Sequence, residues 1–115
     1  EVILAIGRGV GEQENIARFE QLADRMGVTI ASSRPLIDAG WMPKFRQVGQ
    51  SGVSVKPKVY IALGISGAVQ HVAGIKGSEM IVAVNLDPKA PIFEVATLGA
   101  VADIFDVADE LEALL

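Results

Sequence analysis

The amino-acid sequence predicts an α/β fold in which helices cover both faces of an open, mostly parallel sheet. Segments of strand length alternate with segments of helical periodicity along the 115 residues, which is the pattern of parallel strands joined by helices. The strand-like segments are continuously apolar, as expected for strands that are buried on both faces. Hydrophobic residues make up 50% of the chain, so one domain of this length can bury a core.

The first half of the chain predicts three strands and two helices. A continuous apolar run gives the first strand, which ends at a glycine-rich segment, residues 7–11. Helical spacing of apolar residues, an acidic first turn and a glycine stop predict the first helix, and a proline suited to a first turn predicts the second. The predicted elements are a strand at Val2–Ile6, a helix at Glu12–Met26, a strand at Val28–Ala31, a helix at Pro35–Ala39 and a brief strand at Arg46–Gly49.

The second half continues the alternation and closes with a helix. Ser66 is the expected N-cap of the helix that follows the next strand, and Gly74 is its expected stop. Residues 92–95 follow a proline-containing linker and give no clear pattern. The predicted elements are a strand at Val59–Ile65, a helix at Gly67–Ala73, a strand at Met80–Val84, a strand at Gly99–Asp103 and a final helix from Asp106 or Val107 to Leu115.

Small or polar residues close most of the predicted strands. They are Gly7-Arg8-Gly9, Ser32-Ser33-Arg34, Gly64-Ile65-Ser66-Gly67, Asn85 and Asp103. Open parallel sheets bind ligands outside the carboxyl ends of their strands, where these residues would line one edge. The sequence therefore predicts a ligand site at this edge, with the polar loop at residues 47–52 beside it.

Each of these groups also has a purely structural interpretation. Position 12 is Glu where the dinucleotide-binding fingerprint has glycine, so Arg8 either approaches a phosphate or belongs to a flexible turn. Arg34 is solvated, paired with a carboxylate, or placed beside an electron-poor ring as a fixed positive charge. Gln50 and Ser51 are ordinary turn residues whose amide and hydroxyl could equally bond the edge of a heterocycle.

The only histidine, His71, follows Ser66 near the start of a predicted helix. Free backbone N–H groups there suit a phosphate or a negative charge on a ring, although a lone histidine is also a common structural side chain. A hydrolase triad of Ser66, His71 and Asp103 is disfavoured because no Gly-x-Ser-x-Gly elbow is present. Asn85 and Asp103 either cap the turns after their strands or bind ribose hydroxyls.

Composition disfavours several other classes of protein. The net charge of −4 argues against a nucleic-acid surface. No apolar run approaches the roughly 20 residues that a membrane span requires. The chain contains no cysteine, which excludes disulfides and thiolate nucleophiles and favours a reducing compartment. A metal site is not expected with a single histidine and no cysteine.

Together the motifs resemble those of the C-terminal, FAD-binding domain of the electron transfer flavoprotein alpha subunit. The motifs are Gly7-Arg8-Gly9, Ser33-Arg34, Asp38-Ala39-Gly40, Gln47-Val48-Gly49-Gln50-Ser51-Gly52, Pro57–Ala62, Gly64–His71, Ile81–Asn85 and Ala90–Phe93. The resemblance implies a Rossmann-like domain with FAD as cofactor, similar to the middle domains of thiamine-diphosphate enzymes. Because Glu1 leads into a strand without an initiating methionine, we expect residues 1–115 to be the C-terminal FAD-binding fragment of a longer alpha subunit.

The resemblance also implies roles for the site residues. For the flavin ring, these are Arg34 by the isoalloxazine, Gln50 at the ring edge, Ser51 facing N5 and His71 approaching the C2 carbonyl. For the rest of FAD, they are Arg8, Ser66, Gly67 and Asn85 at the ADP or pyrophosphate part and Asp103 at the adenosine end. The other expected cofactor contacts are Ser33, Gln47, Val48, Gly49, Gly64, Ile65, Ala68 and Gln70.

The function implied by the resemblance is that of an electron carrier rather than an enzyme with its own substrate. Its FAD would take electrons from dehydrogenases such as acyl-CoA dehydrogenases and pass them to a downstream acceptor through the flavin semiquinone and hydroquinone. The implied partner is the electron transfer flavoprotein beta subunit, in the cytoplasm of a prokaryote or the mitochondrial matrix of a eukaryote. The alternative is a non-redox adenine-nucleotide-binding or subunit-assembly module, in which the same edge would hold only an ADP moiety.

Overall fold

The computed structural model describes residues 2–49 and 57–115. Within these ranges strands alternate with helices, as the sequence predicts. The strands are β1 (Val2–Ile6), β2 (Thr29–Ser32), β3 (Val59–Leu63), β4 (Met80–Asn85) and β5 (Leu98–Val101). The α-helices are α1 (Ile16–Met26), α2 (Arg34–Asp38), α3 (Val69–Ala73) and α4 (Ile104–Ala113). Short 3-10 turns lie at Arg8–Val10, Gln13–Asn15, Lys44–Arg46 and Pro91–Glu94.

In the part of the chain that the structure describes, the strands form a sheet in which every neighbouring pair is parallel. The strand order is β2-β1-β3-β4-β5, so the winding of the chain reverses between β1 and β3. The predicted α/β fold with a parallel sheet is therefore confirmed, while the comparison with thiamine-diphosphate enzymes stays a prediction. In open sheets of this kind, a crevice forms at the carboxyl ends of the strands where the winding reverses.

The two faces of the sheet carry separate apolar clusters, because successive side chains of a strand point to opposite faces. One cluster packs α1 and α4 against the sheet and includes Leu4, Ile6, Phe19, Leu22, Leu63 and Ile104. The other includes Ile3, Ala5, Tyr60, Ala62, Ile75 and Ile92. The helix α3 lies on this second face, where the ring of His71 is next to that of Tyr60. Helices thus lie on both faces, as predicted.

The first helix begins later than its sequence pattern predicts. Glu12 is extended and is followed by the 3-10 turn at Gln13–Asn15, so the prediction that Glu12 starts the helix is wrong. The Asn15 side chain donates to the carbonyl of Val10 over 2.8 Å and ties this segment to the turn after β1. Gly27 ends the helix as predicted, with a left-handed φ of 70°.

The start of α3 also differs from the prediction, and its end does not. Ser66 is not the N-cap, because that position is Ala68, which makes no side-chain cap hydrogen bond. Gly64 and Gly67 have left-handed φ values of 68° and 90°, so the turn that they enclose cannot be the first turn of a helix. Gly74 ends the helix as predicted.

The last helix begins earlier than predicted because Asp103 is its N-cap. The Asp103 carboxylate accepts a hydrogen bond from the N–H of Phe105 over 2.7 Å, and β5 ends before this residue. The predicted strand at Arg46–Gly49 is wrong as well. A 3-10 turn precedes a single parallel bridge between Ser32 and Gln47 there.

Candidate functional site

A cavity of about 710 Å³ lies at the carboxyl ends of β1, β2, β3 and β4 and includes the position where the winding reverses. Sites for small molecules typically enclose about 300–1,000 Å³. The predicted site residues that line it are Arg8, Ser33, Arg34, Gln47, Val48, Gly49, Gly64, Ile65, Ser66, Gly67, Ala68, Gln70, His71 and Asn85. The fold thus brings these residues together, and their individual roles in binding stay predictions.

The turns after β1 and β3 touch each other through glycine backbones. The N–H of Gly7 donates to the carbonyl of Leu63 over 3.1 Å, and the N–H of Gly9 donates to the carbonyl of Gly64 over 3.0 Å. A Cβ atom on Gly9 would lie 2.6 Å from the Cα of Gly64, so this contact leaves no room for a side chain. Here the backbone itself forms the wall of the cavity, which allows the close approach that a pyrophosphate needs.

The turn after β3 is also fixed against the segment that follows β4. A Cβ atom on Gly67 would lie 2.6 Å from the Cα of Ile92, whose N–H donates to the carbonyl of Ser66 over 2.8 Å. The side-chain amide of Asn85 donates to the carbonyl of Ile65 over 3.1 Å. This wall of the cavity is therefore held by the backbone of Ile92 and by the side chain of Asn85, the last residue of β4.

Polar side chains in the wall differ in whether they already have partners. The side-chain oxygen of Asn85 accepts from the N–H of Asp87 over 2.9 Å, and the buried Gln47 accepts from the Lys44 ammonium over 2.8 Å. The Ser33 hydroxyl, by contrast, is buried with no hydrogen-bond partner among the described residues. Because buried polar groups are nearly always hydrogen-bonded, Ser33 is a position where a ligand would complete the network.

His71 is a second wall residue that lacks a full set of partners. Its Nε2 lies 2.8 Å from the Tyr60 hydroxyl, and its Nδ1 is buried and unpartnered within the described ranges. Burial lowers the pKa of His71 to about 4, which makes the imidazole neutral near pH 7. The nearby backbone of Val48 raises the pKa of His71 and so offsets part of the effect of burial. Its geometry does not amount to a hydrogen bond with Nδ1. Burial also raises the pKa of Tyr60, so the phenol keeps its proton.

Two exposed arginines bring positive charge to the cavity. The Nε of Arg34 donates to the carboxylate of Asp38 over 3.1 Å, in an ion pair between the first and last residues of α2. Arg8 makes no ion pair with the residues that the structure describes. Guanidinium groups bind phosphates through paired hydrogen bonds and also stack beside planar rings. The cavity can therefore receive an anionic or ring-containing ligand.

One predicted site residue does not line this cavity, and two others lie outside the described residues. Gln50 and Ser51 lie outside the described residues, so their roles stay predictions. Asp103 lies at the same edge of the sheet, but it does not line the cavity and its carboxylate caps α4. Of the two interpretations given for Asp103, the structure supports the cap, and the adenosine contact stays a prediction.

Three wall residues were not among the predicted contacts. They are Gly9, Pro35 and Asp38. The signals were present in the sequence, because Gly9 belongs to the glycine-rich turn and Asp38 follows Arg34 at helical i,i+4 spacing. Pro35 is the neighbour of Arg34 in the chain and carries no polar group that would have drawn attention to it.

Two other types of feature are absent from the described residues. Within 2–49 and 57–115 there is no group of three or more histidine, aspartate or glutamate side chains that could hold a metal ion. No helix in these ranges is long and apolar enough to cross a membrane.

A cavity bordered by arginines at the winding reversal of a parallel sheet is typical of domains that bind a nucleotide cofactor. Comparison with known families identifies the family of nucleotide-binding domains to which the chain belongs. The sequence profile described as "Electron transfer flavoprotein FAD-binding domain" matches residues 1–76, and the chain belongs to this family. The family predicted from the motifs is confirmed, and so is FAD as the cofactor of that family.

Individual relatives extend the similarity over the whole chain. The chain is 55% identical over 116 residues to "Electron transfer flavoprotein subunit alpha" of Methylophilus methylotrophus, which covers 100% of this chain and 36% of the relative. It is 53% identical over 110 residues to the protein of the same name from Mycobacterium tuberculosis, and the match covers 96% of this chain and 35% of that relative. It is 49% identical over 115 residues to "Probable electron transfer flavoprotein subunit alpha, mitochondrial" of Caenorhabditis elegans, and the match covers 100% of this chain and 35% of that relative. The chain thus spans about a third of the length of these relatives.

Proposed function

We propose that this chain binds FAD in the cavity at the carboxyl ends of β1–β4 and is the flavin-binding part of an electron carrier. The observation that carries the proposal is that two residues lining the cavity, Ser33 and His71, each hold a buried polar atom with no hydrogen-bond partner among the described residues. Buried groups of this kind need a partner, and the carbonyl and nitrogen atoms of a flavin or the hydroxyls of its ribityl chain can supply one.

The remaining wall residues fit the nucleotide part of FAD. Arg8 is exposed at the cavity without an ion-pair partner in the described ranges and can pair with a phosphate. Ser66 and Gly67 offer backbone and hydroxyl groups in a turn held against Ile92. Asn85 would support this end of the site mainly by fixing the turn after β3, since both polar atoms of its side chain already have protein partners.

Arg34 and His71 would act on the flavin ring. When bound, FAD supplies the redox chemistry, because it accepts electrons and gives them up again. Arg34 would add a fixed positive charge and His71 a neutral hydrogen-bond donor, and both stabilise negative charge on a ring nearby. The Arg34 guanidinium pairs with Asp38, which also lines the cavity. Gln50 and Ser51, outside the described residues, are the further proposed contacts to the ring.

The relatives support a wider assignment for the protein to which this chain belongs. Their names describe alpha subunits of electron transfer flavoproteins, so we infer a beta subunit as the partner in a heterodimer. A dehydrogenase, such as an acyl-CoA dehydrogenase, would be the electron donor, and a separate protein the downstream acceptor. One relative is named as mitochondrial and others are bacterial, which supports the mitochondrial matrix in a eukaryote or the cytoplasm in a prokaryote.

The direct test is the absorbance spectrum of the purified protein, followed by identification of the nucleotide released on heating. We expect a flavin spectrum, release of FAD and reversible reduction of the bound cofactor. A preparation that binds no flavin even with its partner subunit would contradict the proposal. Release of ADP alone would instead favour the non-redox nucleotide-binding module.

A matched pair of serine variants tests the cavity itself. Ser33 and Ser78 both carry a buried hydroxyl with no partner among the described residues, but only Ser33 lines the cavity. We expect Ser33→Ala to weaken FAD binding by about tenfold, the scale of one hydrogen bond, and Ser78→Ala to leave it unchanged. Equal FAD affinity in both variants would exclude a contact between FAD and the Ser33 hydroxyl.

A further inference from the structure

We propose that Tyr60 is a positioning residue for His71: its hydroxyl donates to Nε2 and thereby holds the ring proton on Nδ1, so that His71 presents a hydrogen-bond donor to the cofactor. The inference rests on the proposed FAD site. It adds a residue that does not line the cavity and that acts on the cofactor only through His71.

Tyr60 is held in place by the middle of the sheet. Tyr60 is fully buried in β3, where it is paired with Ile3 of β1 on one side and Ile81 of β4 on the other. Its hydroxyl oxygen lies 2.8 Å from Nε2 of His71, and the two ring centroids are 5.9 Å apart. The position of the hydroxyl is therefore set by the centre of the sheet, whereas His71 belongs to the short helix α3.

The direction of the hydrogen bond follows from the partners that are available. In the described ranges the Tyr60 hydroxyl has His71 as its hydrogen-bond partner and no other. If Nε2 carried the proton, the phenol proton would be buried without an acceptor and Nδ1 would have an unpartnered lone pair. If the phenol donates to Nε2, its proton is satisfied and one group is left without a partner, the N–H at Nδ1. The second arrangement leaves fewer buried groups unpaired.

This arrangement determines what His71 offers to a ligand. A neutral imidazole has one N–H donor and one acceptor, and the hydrogen bond made by one nitrogen decides which of them the other presents. With Nε2 bonded to Tyr60, the group that His71 has left for a ligand is the N–H at Nδ1, and the residue itself lines the cavity. A carbonyl oxygen of a bound flavin is a suitable acceptor, whereas a lone pair at Nδ1 would repel it.

The ¹⁵N resonances of the imidazole test the proposal directly. His71 is the only histidine of residues 1–115, so within this chain its two ring nitrogens can be assigned without a variant. A protonated ring nitrogen resonates far upfield of an unprotonated one, and we expect the upfield signal to be that of Nδ1. We also expect a hydroxyl proton of Tyr60 that is coupled to Nε2 through the hydrogen bond. A wild-type protein with the proton on Nε2 would overturn the proposal.

The Tyr60→Phe variant keeps the aromatic ring and removes only the hydroxyl. We expect the ¹⁵N shifts of His71 to move towards a mixture of the two tautomers, and the FAD dissociation constant to rise about tenfold. Ser78→Ala, which loses a buried hydroxyl away from the cavity, is the control and should change neither quantity. Unchanged ¹⁵N shifts in a folded Tyr60→Phe variant would overturn the role of Tyr60. Since the wild-type spectrum needs no substitution, the proposal remains testable if the variant does not fold.

Failure of the proposed function has a different signature. The tautomer is read from the protein without cofactor, whereas the proposed function depends on flavin absorbance. A protein with the proton on Nδ1 that binds no FAD would support the Tyr60–His71 hydrogen bond and overturn the proposed function. A protein that binds FAD with the proton on Nε2 would support the proposed function and overturn the role of Tyr60.

Discussion

Gly9 and Gly64 meet backbone to backbone at the position where the winding of the sheet reverses. A Cβ atom on Gly64 would lie 2.8 Å from the Cα of Gly9, and one on Gly9 would lie 2.6 Å from the Cα of Gly64. The Gly9 N–H also donates to the Gly64 carbonyl over 3.0 Å. At this contact, between the turns that follow β1 and β3, the cavity wall is backbone without side chains, so this part of the wall depends on both glycines.

Gly64→Ala should therefore destabilise the domain more than an ordinary glycine substitution. The new methyl group would meet both a left-handed φ of 68° and the backbone of Gly9, which we expect to cost about 2–5 kcal/mol of unfolding free energy. Gly27→Ala is the control, because Gly27 has a φ of 70° but nothing within 4 Å, and it should cost about 1–2 kcal/mol. Equal losses in urea denaturation would show that the contact with Gly9 contributes nothing.

Local sequence patterns were sufficient where the physical cause is local. The strand Val2–Ile6 was predicted with its observed bounds, because an unbroken apolar run leads directly into glycine. Gly27 and Gly74 are predicted as helix stops because each directly follows the last apolar residue of a helical pattern. The polar strand ends predicted the edge of the sheet on which the cavity lies.

Features that depend on contacts between distant segments were not predictable in this way. The strand β1 pairs not only with β2, which follows it in the sequence, but also with β3. This second pairing decides where the crevice forms, and no local pattern encodes it. The hydrogen bond between Tyr60 and His71 was also missed, although a tyrosine in a buried strand needs a partner for its hydroxyl. Ser66 is predicted as an N-cap from its residue type. The left-handed φ values of Gly64 and Gly67 on either side of it prevent a helix from starting there.

Asp103 allows the cap and the cofactor contact to be separated. Asp103→Ala removes the acceptor of the Phe105 N–H at the start of α4 and should lower the unfolding free energy by about 1 kcal/mol, measured by urea denaturation. Asp103→Asn keeps an oxygen for the cap and should leave stability nearly unchanged. The FAD affinity of the Asn variant then decides the proposed adenosine contact. An unchanged dissociation constant would restrict Asp103 to capping.

The buried imidazole of His71 predicts a pH dependence of stability. Its pKa is about 4 in the folded protein and 6.5 for a histidine exposed to water, so the unfolded chain binds more protons between these pH values. The contribution of His71 to stability is complete above pH 6.5 and is lost progressively as the pH falls towards 4. The slope should reach about 1.4 kcal/mol per pH unit at most, measured as the unfolding free energy from pH 7 to pH 4.

Carboxylates also titrate in this range, so the control is a protein without the histidine. His71→Gln retains polar groups that can meet Tyr60 but cannot be protonated near pH 5, and His71→Asn provides a shorter second choice if the first does not fold. The difference in slope between wild type and variant isolates the histidine. Identical slopes would mean that the imidazole titrates normally in the folded protein and is not desolvated as the structure indicates.

Arg34 should influence the cofactor and leave the fold almost unaffected. Its ion pair with Asp38 is exposed, with 63% and 62% of the two side chains accessible, so Arg34→Ala should change the unfolding free energy by less than about 1 kcal/mol. Loss of a positive charge beside the ring disfavours negative charge on it, and we expect the reduction potential of bound FAD to fall by tens of millivolts, on the order set by a screened charge at this range. Redox titration of the FAD-loaded protein measures the change. Arg34→Lys, which keeps the charge, should retain most of the potential.

Arg25→Ala is the matched control for the same loss of charge far from the site. Arg25 lies in the last turn of α1, forms one ion pair with Glu112 and does not line the cavity. The helix α1 leads into the amino end of β2, at the opposite edge of the sheet from the cavity, and exposed charges farther apart than the Debye length of about 8 Å at physiological ionic strength are screened from each other. A fall in potential confined to Arg34→Ala would place the guanidinium beside the flavin. Equal potentials in both variants would remove Arg34 from the flavin-binding part of the site and leave it as the partner of Asp38 in α2.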